Sequence, residues 1–268
     1  MTYAERSSHD FTLQVCRTSQ ANAFHQAGQR AKAEKLYCAA ESAQAESQPD
    51  YPVLYSGQGH QYSDLLLSAP ERLAWQRFLT PSETHLPCPT DACKVVIERA
   101  GQTLGWAIEQ PASLITIALD HLTLGRAALY AAILGGSEFD SYQDHVQQAV
   151  DGLRRAGTAH HIPRGLFSRA WLRAQTGSQT GPESAQTDLD EAWEIAERGP
   201  MPLFLADIHL YRARLFYNVQ PYPWSEDEDG NPRGPKDDLK AARRLIEKHG
   251  YWRRKEELED AEAAALSW

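Results

Sequence analysis

One cluster of side chains in the first half of the chain has the residue types of a metal site. His85, Cys88 and Cys93 follow the pattern H-x-x-C-x-x-x-x-C, in a stretch rich in Pro, Ser and Thr. Zinc is held by cysteine and histidine, but a structural site typically needs four such ligands and a closer first pair. No fourth candidate is near in sequence. We therefore expect a loop with two thiols, and neither a metal nor another cofactor.

A second pattern is typical of RNA cleavage. Some helical ribonucleases of the HEPN class carry an Arg and, four to six residues later, a His at a helix end, and Arg155–His160 and Arg244–His249 fit that spacing. With 10 His in the chain and a motif this loose, about two matches arise by chance. Both matches lie at expected helix ends, where basic residues also interact favourably with the helix dipole. We predict no catalytic residue, and a ribonuclease stays the alternative.

Two further groups of polar residues have simpler interpretations. His160 and His161 precede Pro163 and could form a pH-sensitive turn, since histidine titrates near neutrality, but such residues more often cap a loop. The acidic run at 226–229 ends in Gly230 and suggests calcium. The four acids are contiguous, whereas an EF-hand needs alternating ligands and a Glu at its last position. We therefore expect a solvated loop instead of a calcium site. A G-x-x-x-x-G-K-[ST] phosphate loop and the common hydrolase and dinucleotide motifs do not occur.

The composition predicts the elements that position these residues. The chain has 268 residues, with 37 Ala and 28 Leu against 7 Val and 9 Ile. Ala and Leu favour helices, whereas β-branched residues favour strands. We therefore predict an all-α protein with one domain over 1–268 and a soft boundary at the loop 80–91.

Charge and hydropathy limit the binding partners and the cellular compartment that we expect for this chain. The net charge of −9 and the pI near 5.6 argue against a general nucleic-acid or anionic-membrane binder. The N-terminus lacks a secretory pattern, and the most apolar stretch, 114–134, contains Asp120, His121 and Arg126. Four cysteines without C-x-x-C spacing are typical of reduced thiols. We expect a cytoplasmic protein without a membrane span.

Small and aromatic residues recur at helical spacing in pairs of segments. Ala21 and Phe24 precede a turn at Gly28, and Ala33, Tyr37 and Ala40 then occur at steps of four and three. Small residues allow two helices to approach closely, and Ala170, Ala185, Ala192 and Ala213 occupy such positions in later segments. A helix near 52–67 is predicted to pair with one near 71–79. Further helices are predicted near 92–109, 111–134, 142–156, 164–175, 184–197, 202–217, 236–248 and 252–266, the last as a polar cap.

This spacing resembles the tetratricopeptide (TPR) repeat. The runs PRGLFSRAWLRAQTG, DLDEAWEIAERG, LADIHLYRARLF and LIEKHGYWRR, and YPVLYSGQGHQYSDLLL in the first half, look like the C-terminal TPR arrays of bacterial NACHT and related signalling-ATPase proteins. The resemblance implies a right-handed α-solenoid of antiparallel helix pairs with a C-terminal capping helix. It also implies a sensor or partner-binding module, although this chain has no ATPase motif.

In a TPR superhelix the first helix of each pair lines the concave face, where ligands usually bind. Counting from the small residue of each first helix predicts a groove lined by Asn22, His25, His60, Arg126, Arg164, Trp171, Asp207, Arg214 and Tyr217. Arginine pairs well with carboxylates, and Trp or Tyr gives a large rigid contact area. Alternatively, Trp171 is a core residue and the arginines pair with nearby acids.

We therefore expect a non-catalytic adaptor or sensor subunit of a bacterial signalling or defence complex. Its partner is a protein or peptide with an acidic or C-terminal carboxylate segment. A helical effector enzyme such as a ribonuclease, or a regulator that changes curvature when a peptide binds, are the alternatives.

Overall fold

Helices form nearly all of the chain that can be described. The computed structural model describes residues 10–80, 90–110, 112–135, 140–226 and 230–268. Across these ranges there are twelve α-helices, short 3₁₀ turns and no strand beyond an isolated bridge. The helices are α1 (Asp10–Gln26), α2 (Arg30–Ser47), α3 (Ser56–Leu66), α4 (Ser68–Leu79), α5 (Thr90–Glu109), α6 (Leu114–Gly135), α7 (Asp140–Arg155), α8 (Ile162–Gln175), α9 (Ala185–Arg198), α10 (Pro202–Phe216), α11 (Pro235–His249) and α12 (Lys255–Ala264). The predicted all-α class is confirmed.

Local sequence explains where several of these helices begin and end. Helix α9 starts with a capping box. The Ser184 side chain accepts a hydrogen bond from the Thr187 backbone N–H, and the Thr187 hydroxyl accepts one from the Ser184 backbone N–H. Helix α11 has Pro235 in its first turn and ends at Gly250, whose φ of +64° is left-handed. That turn directs the chain into the 3₁₀ turn Trp252–Arg254.

Consecutive helices pack mainly as pairs. Helices α1 and α2, α8 and α9, and α10 and α11 form three such pairs, while α6 packs against both α5 and α7. The expected pairing of the helices near 52–67 and 71–79 is wrong. Helices α3 and α4 follow each other through Leu67, which keeps right-handed helical φ and ψ, and both pack mainly against α6.

Further contacts join the helix pairs to one another and to α3 and α12. Helix α3 packs on α1 and α6, α8 packs on α6 and α10, and α12 packs on α10 and α11. The last elements also return to the first ones, because α12 packs on α4 and the 3₁₀ turn Trp252–Arg254 packs on α1. The C-terminal helix therefore covers more than the last pair, and the two ends of the described chain meet.

The core is built from the small and aromatic residues that the repeat pattern singled out. Six alanines predicted at close helix contacts are fully buried: Ala33, Ala40, Ala170, Ala185, Ala192 and Ala213. The Trp75 and Trp171 rings stack with centroids 3.6 Å apart, within the largest apolar cluster. Helix α6 is long and apolar enough to cross a membrane by composition, but 83% of its most apolar window is buried against other helices.

Candidate functional site

Four carboxyl groups from four different helices meet at the centre of the molecule. They belong to Asp64 on α3, Glu71 on α4, Asp207 on α10 and Glu257 on α12, and each residue is at most 6% exposed. A buried carboxylate is costly unless cations and hydrogen-bond donors surround it. The surrounding helices must therefore supply partners.

Five arginines supply them. Asp64 lies 2.9 Å from Arg126 Nη1, 3.6 Å from Arg164 Nη1 and 2.9 Å from Arg253 Nη2. The Arg254 Nη1 atom donates to Glu71 over 3.0 Å, and its Nε donates to Asp207 over 2.7 Å. Two further pairs close the network, Arg126 with Glu71 at 3.3 Å and Arg214 with Glu257 at 3.1 Å. We call these nine residues the central network.

These contacts keep the carboxyl groups of Asp64 and Glu71 ionised. Burial alone would raise the pKa of Asp64, but the guanidinium groups of Arg253, Arg126 and Arg164 hold that pKa well below its ordinary value. Burial also opposes ionisation of Glu71, and its three arginine partners nevertheless lower the pKa to about 2. Both carboxylates are therefore charged at neutral pH.

Two histidines at the edge of the network are neutral. Burial, reinforced by Arg253, lowers the pKa of His25 to about 3, and its Nε2 atom lies 3.1 Å from the Ser68 hydroxyl. Burial and the nearby Arg164 and Arg126 hold the pKa of His60 well below its ordinary value. The His60 Nδ1 atom lies 3.0 Å from the Thr123 hydroxyl. Both rings are uncharged hydrogen-bonding groups.

The central network carries one more positive than negative charge, since five guanidinium groups face four carboxylates. Arg164 has the most exposed side chain of the five, at 25%. Its charged end lies 5.7 Å from the Phe204 ring. A cavity of about 30 Å³ is lined by Phe167, Ser168 and Phe204 together with Arg164 and other members of the central network, among them the carboxylates Asp64, Glu71 and Asp207. The excess charge is therefore accessible at this cavity.

The structure brings six of the nine predicted groove residues to this centre, but it does not leave them in an open groove. His25, His60, Arg126 and Asp207 are each at most 6% exposed. These four residues are buried rather than open to a partner, and Arg253 and Arg254 of the C-terminal turn bind the Asp64 and Asp207 carboxylates there. Arg164 keeps partial access, whereas Arg214 has none.

The expectation that Trp171 and Arg214 face a partner is wrong, because both residues are 0% exposed. Trp171 stacks in the core, and the Arg214 guanidinium lies 4.1 Å from the Trp75 ring. Tyr217 stacks on Trp268, with ring centroids 4.9 Å apart. Asn22 is half-buried on α1 and accepts a hydrogen bond from Gln26.

Sequence reasoning missed Asp64, Glu71, Arg253, Arg254 and Glu257. Asp64 could have been found, because it lies one helical turn after His60 and so shares its face. The pair Arg253 and Arg254 carried no such signal. Their partners lie up to 189 positions away, so only the tertiary fold identifies them.

The other candidate sites are more dispersed. His85, Cys88 and most of the acidic run at 226–229 lie outside the described residues, and Cys93 is buried on α5. No cluster of three metal-binding side chains occurs within the described ranges, where Cys16 and Cys38 form no disulfide. Both Arg–His pairs are exposed at or just beyond helix ends.

The turn with the two adjacent histidines holds one of them in an unusual state. Burial, together with the neighbouring His160 and Arg164, lowers the pKa of His161 to about 4.

The comparisons with known proteins add no relative. Protein-family models, curated protein sequences and solved structures all return no significant match to this chain.

Proposed function

We propose that this protein is a non-catalytic recognition module that binds a carboxylate group of a protein or peptide partner at Arg164. The observation that carries the proposal is the charge balance of the central network, in which one guanidinium group exceeds the carboxylates and the most accessible one is Arg164. A partner carboxylate at this position neutralises the excess charge. Arginine binds carboxylates through paired hydrogen bonds, which also fixes the orientation of the partner.

The size of the cavity supports recognition of one group rather than of a whole ligand. About 30 Å³ holds a water molecule or two, or the end of a carboxylate. The rings of Phe167 and Phe204 line the same cavity and offer apolar contact to the neighbouring part of the partner. An acidic side chain or a free C-terminus satisfies both features.

We further propose that the helix pairs form a TPR-like solenoid whose concave side is closed by its own C-terminal turn. The pairing of α1 with α2, α8 with α9 and α10 with α11 supports this arrangement, as do the buried alanines between them. In the cell such a module serves as an adaptor or sensor subunit in a bacterial signalling or defence complex.

Peptide arrays test the proposed recognition. Each peptide is presented twice, with a free C-terminal carboxylate and as the C-terminal amide. Purified protein should bind a subset of peptides, with preference for the free acid or for acidic side chains. Arg164→Gln should weaken that binding by about tenfold or more, because a charge-assisted bidentate contact is lost.

The matched control is Arg155→Gln, which removes an exposed arginine at the end of α7. It should leave peptide binding unchanged. Equal binding of acids and amides without any preference for acidic side chains contradicts the proposal. Binding by Arg164→Gln at the level of the unmodified protein contradicts it as well.

A further inference from the structure

A second cavity lies away from the central network, where the end of the α5–α6 hairpin meets the start of α3. Its volume is about 300 Å³, at the lower end of the range for small-molecule sites. The wall is formed by Tyr51, Tyr55, Ser56, Thr103, Trp106, Ala107, Gln110, Ala112, Ser113 and Thr116. None of these described lining residues carries a charged side chain.

Three aromatic residues line this cavity, Tyr51, Tyr55 and Trp106. The Tyr51 and Trp106 rings are nearly perpendicular, with centroids 5.0 Å apart in an edge-to-face contact. The Tyr55 ring lies 6.3 Å from that of Tyr51 at an angle of 61°, and Tyr55 is 39% exposed. Aromatic ring faces are rich in electrons and attract organic cations, so a cavity lined by several rings is suited to such a ligand.

Three hydroxyl groups also line the cavity. The Thr116 hydroxyl lies 3.0 Å from those of Ser56 and Ser113. Ser56 adopts a φ of +56°, which is unusual for a residue other than glycine. Backbone strain of this kind is often found at ligand sites. The hydroxyl groups give a ligand hydrogen-bonding partners in addition to the rings.

A buried carboxyl group is joined to this wall by a hydrogen bond. Asp120 is 4% exposed, and its Oδ1 atom accepts a hydrogen bond of 2.8 Å from the cavity residue Thr103. Among the described residues, none provides a countercharge to Asp120 or a hydrogen bond to its Oδ2 atom. Asp120 follows Thr116 by one turn of α6, so both lie on the same face of that helix. Burial raises the pKa of Asp120 to about 7, and the bond from Thr103 only partly offsets it.

We propose that this cavity binds a small organic cation, a quaternary or alkylated ammonium group, between the rings of Tyr51, Tyr55 and Trp106, with Asp120 as the nearby negative charge. The aromatic faces attract the cation because each ring carries negative charge density above its plane. The absence of any charged side chain from the described wall means that nothing there repels a cation. This site is independent of the carboxylate site at Arg164.

Calorimetric titration with choline and tetramethylammonium tests the proposal. Dimethylbutanol has the shape of choline without its charge, and acetate provides an anion of small size. Choline should bind at least about tenfold more tightly than dimethylbutanol, and acetate should not bind at this cavity. Trp106→Leu, Tyr55→Leu and Asp120→Asn should each weaken choline binding by about threefold to thirtyfold.

Trp252→Leu is the matched control, because it removes a tryptophan that is 43% exposed and lies outside this cavity. It should leave choline binding unchanged. Thermal melts identify any variant that fails to fold, and the exposed position of Tyr55 makes its substitution the mildest. Equal affinity for choline and dimethylbutanol overturns the proposal, as does the absence of choline binding at millimolar concentration. Unchanged binding by folded Trp106→Leu and Tyr55→Leu overturns it too.

Discussion

Buried titratable groups determine how the stability of this protein responds to pH. The carboxyl groups of Asp64 and Glu71 are buried beside arginines that hold their pKa values low. Burial raises the pKa of Asp120, which contacts no cation within the described ranges. A buried carboxyl group therefore has a lowered pKa beside arginines, as at Asp64 and Glu71, and a raised pKa at Asp120.

Asp120→Asn should stabilise the protein at neutral pH. The folded carboxyl has a pKa of about 7 and the unfolded one about 3.8, so the folded state retains a proton that the unfolded state loses as the pH rises between these values. Stability is lost over that window. Asn keeps the acceptor for Thr103 and cannot ionise. We expect a gain on the order of 1 to 3 kcal/mol above pH 7 and little gain near pH 4.

Urea denaturation across that pH range measures the effect. Asp144→Asn, at an exposed position on α7, should show no such pH-dependent gain. If the free energy of unfolding of Asp120→Asn parallels that of the unmodified protein at every pH, the carboxyl is not buried as described.

His25 should contribute to acid destabilisation. Its folded pKa is about 3 against an ordinary value of 6.5. Between these values the unfolded chain binds a proton that the folded chain does not, so stability falls as the pH drops. Glu71, with a folded pKa of about 2 against 4.5, adds a loss over a more acidic range.

His25→Gln should therefore reduce the loss of stability between pH 6.5 and pH 4.5, by at most about 2 to 3 kcal/mol. Denaturant titrations at the two pH values measure this difference. The exposed His249 at the end of α11 provides the control substitution His249→Gln. An unchanged pH dependence in His25→Gln would show that this ring is protonated in the folded state.

At the scale of elements, small residues at helix contacts were the most informative feature of the sequence. The alternation of Ala and aromatic residues predicted helices that agree with most of the observed ones, and buried alanines such as Ala170 and Ala213 confirm the expected close contacts. The pairing near 52–79 was wrong, because Leu67 continues the chain in helical conformation instead of turning it back. The paths of α3 and α4 are set by α6, which local patterns do not reveal.

Gly125→Ala should destabilise the contact between α6 and α7. A Cβ atom at this position would lie 2.7 Å from Val146 Cγ2 and 3.2 Å from the Val146 backbone nitrogen. One of the two helices must then shift, which costs about 1 to 3 kcal/mol. Thermal or urea unfolding gives the value.

Gly101→Ala on α5 is the matched control, because a Cβ there has nothing within 4 Å. That substitution should stabilise the protein by roughly 0.5 to 1 kcal/mol, through helix propensity alone. Equal effects of the two substitutions would mean that α6 and α7 do not approach closely at Gly125.

At the scale of the whole molecule, the central network joins the two ends of the described chain. Arg253 and Arg254 come from the turn before α12, whereas Asp64 and Glu71 come from α3 and α4. Six of the nine predicted groove residues lie at this centre, but the sequence predicted them in an open groove, and most of them are buried. The contribution of the C-terminal turn could not be predicted, since its contact with Asp64 spans 189 positions. The closure leaves Arg164 as the accessible cation of the network.

Hydrogen exchange of Arg254→Met, compared with the unmodified protein, tests this closure most directly. The substitution removes the arginine that joins Glu71 to Asp207, and Asp207 loses its buried cation, a loss on the order of 3 to 5 kcal/mol. Amide protection should fall in α4 and α10 as well as in the C-terminal turn. Arg243→Met, which removes the pair with Glu262 on α12, should affect only α11 and α12. If the change in Arg254→Met is confined to residues 250–268, the two ends of the chain are not joined by this network.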